Sequence, residues 1–148
     1  MNAEQKSQVL DVLADHNILT LATNREDGWP QATTVGYVND GLDIYVATFP
    51  ESQKVQNISR DPRVSLTVDR DNPDWSRIKA LSMAATAEIV TAAEVIRDVE
   101  QRMTDKFPQL AQMPMPDPSE ITFLRLRPKV VSLLDYEKGF GHTELVTP

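Results

Sequence analysis

The turn at Asn39–Gly41 constrains the fold more than any other part of the sequence. Its Asn-Asp-Gly residues tolerate the positive φ angles that a tight turn between antiparallel strands requires. The run before it, from Gln31 to Val38, is rich in threonine and valine. The run after it, from Leu42 to Ala47, alternates as a strand with one apolar face does. The sequence therefore predicts an antiparallel hairpin here.

Further extended runs occur along the chain, and most are joined without a long helix between them. They cover residues 18–23, 64–69, 78–90, 121–127 and 129–134. Such a succession favours an antiparallel sheet or a small barrel over a doubly wound parallel sheet. The predicted class is mainly β (α+β), with six or seven strands.

Three helices complete the predicted architecture. Residues 3–16 place apolar side chains at helical spacing, with polar residues between them. A short helix is expected from Val55 to about Asp61. The third helix is expected to start at Thr91–Glu94, where the threonine and glutamate form a capping box, and to end near Phe107.

Length and composition indicate one domain over residues 1–148, with residues 136–148 as a polar C-terminal tail. The net charge of −7 argues against binding to nucleic acids or acidic membranes. The chain has no cysteine, which excludes disulfides and thiolate chemistry. No apolar run approaches the ~20 residues of a membrane span, and no secretory signal begins the chain. A soluble cytoplasmic protein is expected.

Histidine is scarce, since only His16 and His142 are present. His16 ends the first helix, where a cation offsets the helix dipole. His142 follows two glycines, and a contact with a ligand is as compatible with this position as a free or packed tail. Spaced histidines are missing, so no metal site and no histidine-assisted nucleophile are predicted. No catalytic residue is assigned, and a cofactor is expected to supply any difficult chemistry.

The junction Thr48–Lys54 is the most informative segment for function. Here a strand ends and a helix begins, so two hydroxyls and one ammonium lie beside free helix N–H groups. Such a group of donors suits a phosphate. Another interpretation is that Ser52 caps the helix, Lys54 is a solvated charge and Thr48 is an ordinary strand residue.

Two motifs resemble the pyridoxamine 5′-phosphate oxidase-like, FMN-binding split-barrel family. One is Thr-x-x-x-Ser-x-Lys at residues 48–54, and the other is Lys-x-x-Asn-x-x-x-Asp-Pro-Arg-Val at residues 54–64. A hairpin from Asp27 to Val35 precedes them in the order typical of this family. The resemblance covers roughly residues 5–135. It implies a six-stranded antiparallel split β-barrel with about three flanking helices.

The resemblance also implies a homodimer with FMN at the subunit interface. Lys54 would neutralise phosphate charge, while Ser52 and Thr48 would donate hydroxyl hydrogen bonds. Gln53 would hold a second position beside the phosphate, and Ala47 would contribute backbone. The residues expected to face the isoalloxazine ring are Thr33, Thr34 and Val35.

The sequence departs from the vitamin-salvage oxidases that give the family its name. Those enzymes carry an arginine where this chain has Thr33, a lysine where it has Val38, and an arginine near Gln53. They also bind substrate through an Arg-x-His pair, whereas His142 is preceded by Phe140 and a glycine. Pyridoxamine phosphate is therefore not the expected substrate.

The predicted function is that of an FMN-binding, oxidoreductase-like protein that carries out flavin-mediated redox of a small molecule. Two alternatives stay open: an F420-dependent reductase, and a non-catalytic module that binds flavin or haem. The sequence does not identify the substrate, the electron donor or the direction of turnover.

Overall fold

A computed structural model describes residues 1–148 as a single antiparallel sheet with three helices. The strands are β1 Ile18–Asn24, β2 Pro30–Gly36, β3 Val38–Asp40, β4 Asp43–Thr48, β5 Arg63–Val68, β6 Lys79–Ile89, β7 Thr122–Asp135 and β8 Thr143–Val146. The helices are α1 Ala3–Asp15, α2 Gln53–Arg60 and α3 Ala93–Lys106. The strand order is β2-β1-β5-β6-β7-β4-β3, and β8 pairs with β7.

The sheet curls, so that β2 at one edge approaches β4 near the other edge. Inward-facing residues of the strands form the main core, in which α1 and α2 also take part through side chains such as Val9 and Ile58. Helix α3 packs on the outside, where Val99 belongs to a small second core with Tyr45 and Phe123. The result is a split barrel in which α1 and α2 pack against the main core. No helix is long and apolar enough to cross a membrane.

The predicted class and the three helices are confirmed, and the strand count differs from six for local reasons. Tyr37 breaks the run 31–38 into β2 and β3, because its side chain turns into the core and its N–H bonds to Asn17 O. The runs 121–127 and 129–134 form one long strand, in which a register shift opposite Ala84 and Ala85 accommodates the proline at 128.

Two further details correct the expectations from sequence. The capping box at Thr91 does not form: α3 starts at Ala93, and its N-cap residue Ala92 makes no side-chain cap bond. The N–H of Val90 still bonds to Phe123 O, which keeps the chain extended up to this point. The C-terminal tail also contains a strand that the sequence did not predict, since residues 143–146 pair with β7.

Lys106 joins α3 to the end of α1. Its ammonium donates to Leu13 O at 3.3 Å and lies 3.8 Å from the ring centroid of Tyr37. The Tyr37 hydroxyl donates to the same carbonyl at 2.7 Å. Burial lowers the pKa of Lys106 from its usual 10.5 to about 8, although the carbonyl and the ring favour the charged form.

This environment predicts a pH-dependent stability. Between the folded pKa of about 8 and the unfolded value near 10.5, the unfolded chain binds more protons at Lys106 than the folded protein does. The free energy of unfolding is therefore expected to rise by about 1 kcal/mol from about pH 8 to about pH 10, a small value because solvent reaches the ammonium. Urea unfolding across this range measures the rise. The Lys106→Met variant should lack it, and an equal rise in that variant would contradict the assignment.

Candidate functional site

The junction between β4 and α2 brings two hydroxyl groups together. Thr48 is the last residue of β4, and its side chain lies on the same side of the strand as the core residues Ile44 and Val46. Ser52 is the N-cap residue of α2. Thr48 Oγ1 donates to Ser52 Oγ at 3.1 Å, so the serine hydroxyl keeps its own proton for another acceptor.

The start of α2 offers two unused backbone donors at the same place. The N–H groups of Val55 and Gln56 bond to Ser52 O, whereas those of Gln53 and Lys54 have no partner in the protein. Ser52 does not cap them with its side chain, contrary to the alternative interpretation of this residue. Free N–H groups at a helix start, with the positive end of the helix dipole, favour an anion.

Lys54 adds a full positive charge to these donors. Its side chain is half-buried and makes no ion pair or hydrogen bond, although the chain carries 22 acidic residues. Several other cations are paired, as Arg63 is with Asp61 at 3.0 Å and Arg102 with Asp98 at 2.8 Å. Lys54 is thus an uncompensated cation beside two hydroxyls and two free N–H groups. We call this group, Thr48, Ser52, Gln53 N and Lys54, the anion seat.

Asn57 fixes the position of α2, a role that the motif analysis did not assign to it. It is fully buried, and its Nδ2 donates to Thr23 Oγ1 at 2.9 Å. Its Oδ1 accepts from Gln53 Nε2 at 2.8 Å. The side chain of Gln53 is therefore turned along the helix, and Gln53 reaches the anion seat with its backbone only. The signal available in the sequence was a polar residue placed between the apolar residues Val55 and Ile58 of a short helix.

The expected ring-facing residues lie on β2, which the curl of the sheet brings toward β4. Their side chains do not share one face, because a strand alternates. Thr33 and Val35 are half-buried on the inner side, where Val35 packs against the core, and Thr34 is exposed on the outer side. Ala47 is exposed next to Thr48. A flat ring could therefore contact all three residues together only through the backbone of β2, and not through their side chains.

Thr34 belongs to an outer sheet face that has no helix over it and no charge at its centre. Cross-strand neighbours on β1, β5, β6 and β7 continue this face through small residues. We call it the uncharged face, and its members are Thr20, Ala22, Thr34, Ser65, Thr67, Ser82, Ala84 and Ser132. Exposed sheet faces are normally polar, and 25% of this chain is charged. The absence of charged side chains at the centre of a face that spans five neighbouring strands therefore sets this surface apart from an ordinary solvent-exposed sheet face.

A cavity of about 590 Å³ opens at one end of the uncharged face. Thr67, Ser82 and Ser132 of that face line it, together with the aromatic residues Trp75 and Tyr136. No residue of the anion seat takes part. The cavity and the seat are thus separate features of one chain.

These features define a class: an antiparallel split barrel with a group of unpaired hydrogen-bond donors where a strand meets a short helix. The chain belongs to the pyridoxamine 5′-phosphate oxidase family, whose model matches residues 5–135. It is also 32% identical over 90 residues to general stress protein 26 of Bacillus subtilis. That alignment covers 61% of this chain and 63% of the relative, so it spans less than two thirds of the relative's length.

Solved structures share the fold. A conserved hypothetical protein from Mycobacterium tuberculosis is 26% identical with a TM-score of 0.77, and the match covers 100% of this chain and 92% of the other. A haem-binding protein from Mycobacterium smegmatis is 20% identical with a TM-score of 0.80, over 99% of this chain and 59% of the other. At the latter identity, the likeness concerns the fold alone.

Proposed function

We propose that this protein binds FMN, with the flavin phosphate in the anion seat. The observation that carries the proposal is the half-buried, unpaired Lys54 beside free helix N–H groups and two hydroxyls. A phosphate monoester carries close to two negative charges near neutral pH and accepts several hydrogen bonds. The N–H groups and the ammonium of the anion seat donate hydrogen bonds and accept none, and the hydroxyl of Ser52 has a proton that no other group accepts. This donor set fits a phosphate.

In this proposal the isoalloxazine ring lies along β2. A strand at the edge of a sheet has backbone N–H and C=O groups that are not used by its neighbour, and these can bond to ring nitrogens and carbonyls. Thr34 adds a hydroxyl on the outer side. The bound flavin would supply electron transfer to or from a small molecule, and the protein would bind and orient it. No side-chain acid or base is required of the chain.

A homodimer completes the proposed site. The uncharged face suits a second sheet, because small side chains allow close approach and stacked sheets lie about 10 Å apart. Thr34 joins this face to β2, so a partner chain seated there would cover the proposed ring position. The cavity beside Trp75 and Tyr136 would face the same interface.

The Ala84→Arg variant tests the interface. A long cation at the centre of the uncharged face would lose its solvation on pairing, so the variant is expected to be monomeric when the wild type is dimeric. Sedimentation equilibrium measures both masses. Ala93→Arg, which adds the same charge on exposed α3, should stay dimeric. A monomeric wild type, or a dimeric Ala84→Arg, would refute this interface.

The visible spectrum of the purified protein tests the cofactor. Flavin bands that dithionite bleaches and air restores are the expected result. A single deazaflavin-like band would show that the bound cofactor is F420 and not FMN, and a Soret band would show that it is haem. A colourless protein that takes up no added FMN would refute the proposal.

A further inference from the structure

A second polar cavity, of about 240 Å³, lies between α1, β6 and β7. Its wall contains Asp11 and Asp15 of α1, His16 at the end of that helix, Lys79 of β6 and Asp135 of β7. No residue of the anion seat and none of the uncharged face lines it. It is therefore independent of the proposed flavin site.

His16 is the unusual member of this wall. Only 4% of the residue is exposed, and its Nε2 is the one buried side-chain nitrogen or oxygen without a hydrogen-bond partner. Its Nδ1 lies 2.8 Å from Val12 O, and a carbonyl accepts only, so Nδ1 carries a proton. In the neutral ring Nε2 is then a bare acceptor. Buried polar groups in folded proteins have partners, so this atom calls for a donor.

The carboxylates of the cavity divide into used and unused groups. Asp15 is paired with Arg70 at 2.5 Å, and Lys79 is 3.4 Å from Glu137 outside the cavity. Asp11 has no ion pair. Asp135 is nearly buried, and it accepts one bond, from Glu137 N to its Oδ1 at 3.0 Å. Asp11, Asp135 Oδ2 and His16 Nε2 thus accept no hydrogen bond in the structure, although the side chains of Gln8 and Lys79 also line the cavity.

A neighbouring cavity of about 400 Å³ shares Asp15, His16 and Lys79 but has the opposite balance of charge. It adds Arg70 and Arg77 against Glu137, so cations outnumber carboxylates there. A cationic ligand is therefore attracted to the smaller cavity. The smaller cavity also lies at the last turn of α1, which carries no basic residue and has the negative end of the helix dipole.

We infer that the smaller cavity binds the primary ammonium of a small organic amine. An ammonium has three donors and no acceptor, which matches two carboxylates and the acceptor that Nε2 is in the neutral His16 ring. Val12 and Leu133 supply apolar wall for the methylene groups. No group of three or more metal-ligating side chains occurs in the structure, so an organic cation is favoured over a metal ion.

The test uses 1,4-diaminobutane and the ¹⁵N resonances of the imidazole in the His142→Gln variant, whose sole histidine is His16. The chemical shift of Nε2 is expected to change as the diamine is added and to reach a plateau when the site is full. Sodium chloride at equal ionic strength, and the neutral 1,4-butanediol, should leave it in place. No shift, or the same shift with salt, would mean that Nε2 faces ordered water and that the site does not exist.

Two variants assign the ligand contacts. In the same background, Asp135→Asn keeps the acceptor that receives Glu137 N but loses the charge, and it is expected to raise the Kd of the diamine about tenfold or more. Asp11→Asn, at an exposed position without an ion pair or a hydrogen bond in the structure, should weaken binding in the same direction. An unchanged Kd in both variants would overturn the inference.

Discussion

Replacing Lys54 with alanine is expected to weaken FMN binding by about 1.5–3 kcal/mol, which corresponds to a Kd about 10–150 times higher. Lys54 is half-buried and has no carboxylate partner, so its charge is available to a phosphate without the loss of an internal ion pair. Water screens part of this charge, which is why the expected loss stays within the range of one hydrogen bond to a charged group. Fluorescence quenching of FMN on titration measures the Kd.

Lys6→Ala is the matched control, because it removes the same charge from an exposed position on α1. Its Kd for FMN should stay within about twofold of the wild-type value, as expected for a remote, solvent-screened charge. If both variants lose affinity equally, the effect comes from the net charge of the protein. If neither loses affinity, Lys54 does not hold the phosphate.

The Asn57→Ala variant is expected to lower the free energy of unfolding by about 2–4 kcal/mol, the cost of two lost hydrogen bonds with buried groups left unpaired. Asn57 is fully buried and joins the start of α2 to the end of β1 through Thr23. It also orients Gln53. Loss of these bonds should leave the anion seat less well ordered and raise the Kd for FMN as well. Urea unfolding gives the stability change.

Gln56→Ala is the control on the same helix, since Gln56 is exposed and its side chain bonds only to Glu51 O. It should change stability by less than about 0.5 kcal/mol, as exposed substitutions do. A loss in Asn57→Ala no greater than in this control would show that the buried asparagine does not fix α2.

The strands could be predicted closely because their alternation is strict. Asp43–Thr48 and Arg63–Val68 were expected to within one residue, since inward apolar residues must face a core and outward ones need not. The edges were harder. The break at Tyr37 depends on distant partners, Asn17 O for its N–H and Leu13 O for its hydroxyl, that no local pattern reveals. The last strand forms only because β7 offers it an edge.

The sequence motif named the residues of the anion seat, and spacing alone did not give the geometry that the structure shows for them. The sequence left open whether Ser52 caps α2, and the structure shows its hydroxyl bonded to Thr48 instead. Gln53 was expected beside the phosphate, yet its side chain is held by Asn57. These outcomes depend on the direction in which each side chain points, which spacing does not determine. His16 was correctly placed at the end of the first helix, but its burial was unforeseen.

The most direct test of the phosphate seat compares FMN with riboflavin, which has the same ring and lacks only the phosphate. Isothermal titration of both ligands into the wild-type protein and Lys54→Ala gives four dissociation constants. We expect the wild type to bind FMN at least about tenfold more tightly than riboflavin, because a charged group meets donors and a cation. Most of this ratio should disappear in Lys54→Ala, while the Kd for riboflavin hardly changes. Equal affinity of the wild type for the two ligands would contradict the account.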